Sequence, residues 1–149
     1  MATPTPDQKP LWLTLISYYD HSERWSLFVS REGEPGWEYQ VKEQGGRMAY
    51  EPPTEAMRLP SILDTPYNPR SMLVMNRLTD EQADVVREVA GREPPPASNA
   101  DGYASQHWVA NVVEELVKRG IVALHLFNGH IKPMVGHSLR DQLFPDQRA

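Results

Sequence analysis

The chain has no cysteine, which excludes disulfides, thiolate metal sites and a cysteine nucleophile. It is also short of positive charge: 15 Lys and Arg stand against 20 Asp and Glu, for a net charge of −5. A general nucleic-acid binder needs a basic face for phosphates, so that class is disfavoured, although a local basic patch is not excluded. Long apolar runs are missing as well. A signal peptide needs about 7 to 15 consecutive apolar residues and a membrane helix about 20, and no such run occurs. The expectation is a cytoplasmic protein with no nucleic-acid or membrane partner. No motif asks for a cofactor, and none is expected.

What is present suits one domain. At 149 residues, with 40% hydrophobic and 23% charged residues, the chain can bury a core without staples. Residues 1–10 hold three prolines and read as a flexible leader, leaving 11–149 as a single domain. Leu11 to Tyr19 is rich in β-branched and aromatic residues and reads as a buried strand. A polar turn at residues 20–23 leads to a second strand, Trp25 to Ser30. The Gly33-Glu34-Pro35-Gly36 turn then precedes Trp37 to Lys42, whose alternation marks a half-buried third strand. Residues 44–71, with two glycines and five prolines, read mostly as loop, with Ile62-Leu63 pinned to the core; Ser71 to Asn76 reads as a further strand.

Thr79 and Gln82 match a capping box, and Ala83, Val86 and Val89 follow at helical spacing, with Gly91 able to end the helix. Ser105, Trp108, Val109, Val112 and Leu116 form one apolar stripe on a second, longer helix. Asn99 or Asp101 can cap its start, and Gly120 ends it. Ile121 to Phe127 reads as a final short strand, and the polar remainder as irregular. The fold class is therefore α+β, an antiparallel sheet packed on a long helix.

Three segments carry a resemblance. They are Arg24-Trp25-Ser26-Leu27-Phe28-Val29, Tyr39-Gln40-Val41, and the helix opening Ala104-Ser105-Gln106-His107-Trp108-Val109 and running on to Arg119-Gly120-Ile121. In this order they resemble small proteins, many of them fungal, with a permuted papain-like fold related to lecithin:retinol acyltransferase. The resemblance implies that a strand histidine activates a cysteine at the helix start while a polar residue of the third strand orients that histidine. Here Arg24 stands in the histidine's place, Gln40 in the orienting position and Ser105 in the cysteine's place. Arginine stays protonated near neutral pH and cannot serve as a base, and a serine without a base is a poor nucleophile.

The resemblance thus implies a degenerate papain-like cleft, with Arg24, Gln40, Ser105 and His21 as the catalytic candidates. His21 enters because a bulged turn would bring its imidazole to Ser105 as a replacement base. Tyr19, Trp25, Gln106 and Trp108 are expected to line the cleft and bind an apolar small molecule. His107, two residues after Ser105, should point away from the helical stripe. His125, His130 and His137 match no compact metal-ligand spacing, so no metal is expected. Three functions follow. One is cyclisation or isomerisation of an apolar substrate without a covalent intermediate, in natural-product biosynthesis by analogy. The others are a Ser105-dependent hydrolase or acyltransferase and a non-catalytic binding module. A homodimer is compatible with each.

Overall fold

The first three strands owe their order to turns short enough to keep neighbours together. In the computed structural model, which describes residues 9–19, 23–57, 70–99 and 102–136, β1 (Leu11–Tyr19), β2 (Glu23–Arg31), β3 (Trp37–Gln44), β4 (Arg47–Glu51) and β5 (Arg70–Leu78) form one antiparallel sheet. The strand order is β4-β3-β2-β1-β5. Residues 1–8 of the expected leader, the turn residues 20–22 that include His21, Ile62-Leu63, Asp101 and His137 lie outside the described residues.

Gly36 sets how closely β3 departs from β2. A Cβ there would sit 2.2 Å from the Val29 carbonyl oxygen and 2.3 Å from Ser30 Cβ, so only glycine fits without displacing backbone. The β2–β3 ladder runs only through Leu27↔Tyr39, Phe28↔Glu38 and Val29↔Trp37. β4 adds a strand within residues 44–71, the stretch read as mostly loop. Gly45 and Gly46 take φ of +58° and +82°, the two-residue turn whose twist suits a hairpin, so the chain returns along β3 at once. The double glycine was the signal.

α1 (Asp80–Arg92) starts at Thr79, where both halves of the capping box form: the Gln82 amide donates to Thr79 Oγ1 at 3.1 Å, and the Thr79 amide to Gln82 Oε1 at 3.0 Å. The helix runs through Gly91 to Arg92 rather than stopping at the glycine. α2 (Ala104–Lys118) has no cap from its own N-cap residue, Tyr103; Asn99 Oδ1 instead accepts from the Ala104 amide at 3.1 Å. It ends in a Schellman arrangement. Gly120, at φ +77°, donates to the Val117 carbonyl, and Ile121 donates to that of Leu116.

Ile121–Phe127 is not a strand. The chain turns, forms a short α3 (Leu124–Leu126) and continues through a π turn (Phe127–Ile131) and a 3-10 turn (Lys132–Met134). A run of seven apolar-rich residues does not distinguish strand from helix by periodicity. Burial of Val122, Phe127 and Ile131 decides the outcome.

One apolar cluster joins Leu13 and Leu15 of β1, Trp25, Leu27 and Val29 of β2, and Tyr39 and Val41 of β3. Val86 and Val89 of α1 and Trp108, Val112 and Leu116 of α2 belong to the same cluster. Glu114 and Lys118, off the stripe, are exposed. Alternate residues of β1 and β2 point the other way, where Ile16, Tyr18 and Phe28 make a separate small cluster. The sheet therefore has one face covered by helices and a second face with its own interior.

Candidate functional site

The second face carries the polar chemistry. Tyr18, Ser26, Glu38 and Gln40 alternate out of β1, β2 and β3 away from α2, and Arg24 stands directly across from Tyr18 in the β1–β2 register. Glu38 is the hub. Its Oε2 accepts from the Tyr18 hydroxyl and, at 2.6 Å, from Ser26 Oγ, while Gln40 Nε2 reaches Oε1 at 3.4 Å. Glu38 is only 7% exposed and Ser26 is fully buried, so these bonds satisfy groups that are costly to leave unmet.

Arg24 Nη1 donates to Gln40 Oε1 at 2.6 Å, and its guanidinium carbon lies 4.3 Å from the centre of the Tyr18 ring. The cation is thus half-buried and held on two sides. Burial raises the Tyr18 phenol well above its ordinary value, the negative charge of Glu38 raises it further, and Arg24 opposes the shift. Tyr18 therefore stays protonated far past neutral pH, a donor toward Glu38. Chemically, the arrangement offers a fixed cation beside a carboxylate–phenol pair.

Ser105, in the first turn of α2, meets β2 at its backbone. Its Oγ accepts from the Trp25 amide at 3.0 Å, and it is 5% exposed. That amide lies beyond the end of the β2–β3 ladder, so the serine stands in for a missing strand partner. Alternation along β2 turns Trp25 toward α2 and Arg24 away from it. Of the three residues expected to share one cavity, Arg24 and Gln40 meet through their own hydrogen bond, and Ser105 bonds the backbone amide of Trp25, the residue next to Arg24.

Three of the residues expected to line a cleft between sheet and α2 are buried. Trp25 is 3% exposed and Trp108 fully buried, the latter donating from Nε1 to the Glu93 carbonyl at 3.2 Å and packing its ring 5.8 Å from that of Tyr50. Gln106, fully buried, accepts at Oε1 from the Gly136 amide at 3.0 Å, tying the start of α2 to the segment after α3. These three residues face the core. Tyr19 lies in β1, and His21 is outside the described residues. His107, His125 and His130 are exposed. Among the described residues no cluster of His, Asp and Glu has the makings of a metal site.

Sequence reasoning missed Glu38, Tyr18 and Ser26 as members of the site. Period-2 alternation puts Glu38 and Gln40 on one face, but nothing in six residues of strand says that this face is buried. A cavity of about 490 Å³ lies elsewhere, between the β2–β3 turn and the start of α1. There Arg31 donates to Asp80 at 2.6 Å, and Arg87 stacks 5.4 Å above Trp37.

A small α+β protein built on a five-stranded antiparallel sheet is the class that this architecture defines. The chain belongs to a family of unknown function (DUF6540), whose model matches residues 13–123. That span holds Tyr18, Arg24, Ser26, Glu38, Gln40 and Ser105. No curated protein and no solved structure matches the chain.

Proposed function

We propose that this protein is a small-molecule enzyme that acts without a covalent intermediate, using Arg24 as a fixed cation for a developing oxyanion. The observation that carries this reading is the Arg24 guanidinium, bonded to Gln40 at 2.6 Å and seated over the Tyr18 ring. A cation oriented in advance stabilises charge that appears during reaction without having to reorganise. In this reading a carbonyl or enolate oxygen of an apolar substrate accepts from Arg24, Gln40 fixes the guanidinium, and the Tyr18–Glu38 pair holds a proton nearby. Cyclisation or isomerisation fits such a set, and a setting in natural-product biosynthesis and a cytoplasmic location follow by analogy. The degenerate papain-like ancestry suggested by the sequence remains part of the proposal. Ser105 is assigned a structural role, because its oxygen already serves the Trp25 amide.

A second reading, a non-catalytic binding module, is favoured by one feature. The Glu38 carboxylate already accepts from Tyr18, Ser26 and Gln40, which leaves little capacity to take a proton from a substrate. The test is a titration of the intact, 15N-labelled chain with a panel of small aromatic carboxylates and β-diketones, followed by NMR. Shifts centred on Tyr18, Arg24 and Gln40 support the site, and conversion of a β-diketone supports enzyme over module. Shifts centred on Ser105, with Arg24 unmoved, contradict it.

A further inference from the structure

We propose that β4 is the edge through which two copies of this chain pair, antiparallel and about a two-fold axis at Ala49. β4 is the outermost strand on its side of the sheet, and no backbone hydrogen bond from the described residues reaches its outer edge. The two-residue Gly45-Gly46 turn makes Gln44 and Arg47 the closing pair of the hairpin, so the inward-bonded residues of β4 are Arg47, Ala49 and Glu51. The amides and carbonyls of Met48 and Tyr50 therefore point outward, an open template for another strand.

The sequence of that edge, Arg47-Met48-Ala49-Tyr50-Glu51, is complementary to itself when reversed. Pairing centred on Ala49 sets Met48 opposite Tyr50 of the second copy, the two residues whose backbone groups are free to bond. It also sets Arg47 of each copy opposite Glu51 of the other, giving two symmetric ion pairs across the new ladder. A shift toward the C-terminal end brings Pro52, which has no amide to donate, opposite Met48. The partner is thus a second copy of this chain, and the product a continuous ten-stranded sheet.

Five residues a side make a small contact, so association in the roughly micromolar to millimolar range is expected. Sedimentation of the intact chain over a concentration series up to about 1 mM tests it. The proposal expects a monomer–dimer equilibrium in which Arg47→Glu and Glu51→Arg each weaken dimerisation roughly tenfold or more, since each replaces two attractions by two repulsions. The double variant R47E/E51R, which restores opposite charges, recovers most of the loss. Val74→Lys, on the far edge strand β5, leaves the equilibrium unchanged. Hydrogen exchange on the unaltered chain reads the same geometry: Met48 and Tyr50 amides slow as concentration rises, while the inward Ala49 amide does not. A chain that stays monomeric throughout, single variants without effect, a double variant no better than either single one, or a dimer lost in Val74→Lys would each overturn the assignment.

Discussion

The two faces of the sheet are built to different ends. On the α2 face, Trp25, Leu27, Tyr39, Val41, Trp108 and Val112 close into one apolar core, and Ser105 at the start of α2 completes a backbone hydrogen bond. On the opposite face a three-residue apolar cluster sits beside a chain of polar side chains: Arg24, Gln40, Glu38, Tyr18 and Ser26. Apolar burial is non-directional and tolerant, and it supplies stability. A buried polar network is directional and costly when broken, so it fixes particular groups in particular places. The first face explains why the chain folds, and the second is where specific chemistry can reside.

That contrast can be broken most severely from the helix side. Trp108→Ala empties a fully buried ring site and is expected to cost about 3–5 kcal/mol in chemical denaturation, with no special dependence on pH. A smaller loss, roughly 2–4 kcal/mol, is expected from Glu38→Ala, which leaves the hydroxyls of Tyr18 and Ser26 without their acceptor. The distinguishing mark is recovery: removing the donors too, in Y18F/S26A/E38M, should restore part of that stability, because unmet polar groups are worse than absent ones. Failure of the triple variant to recover would mean that Glu38 acts through packing alone. Ser105→Ala removes one acceptor from the Trp25 amide and should cost about 1 kcal/mol.

The mildest probe is alkaline pH. The Tyr18 phenol is raised in the folded chain, by burial first and by Glu38 second. Folding therefore favours its protonated form. The stability this brings is complete below the unfolded value, about 10, and is lost as pH rises beyond it. Urea denaturation at a series of alkaline pH values should show Tyr18→Phe declining less steeply above about pH 10 than the unaltered chain.

Much of this architecture was legible in the sequence, and the limits have physical causes. The strands β1 to β3 announce themselves by β-branched and aromatic content, and α1 by a capping box that forms in full. The stripe of Trp108, Val112 and Leu116 is buried as its spacing requires. The segment after Gly120 misled because a short apolar run satisfies strand and helix alike, and the environment of Phe127 and Ile131 chose helix. The site was legible only in part. Arg24 and Gln40 do come together, at 2.6 Å, on the face that strand alternation assigns them, whereas Ser105 is taken up by the Trp25 backbone amide. The burial of Glu38 depends on what covers the second face, a fact of tertiary packing that the alternation of six residues does not encode.

The central claim is that the working cation is Arg24 and that Ser105 is structural. Calorimetric titration of the tightest aromatic carboxylate from the NMR panel into the unaltered chain, Arg24→Ala and Ser105→Ala tests it most directly. Loss of a fixed guanidinium should weaken binding roughly tenfold or more, while Ser105→Ala should change it less than about twofold. Binding that survives Arg24→Ala but disappears in Ser105→Ala, in a variant that remains folded, would contradict the account and move the chemistry to the start of α2.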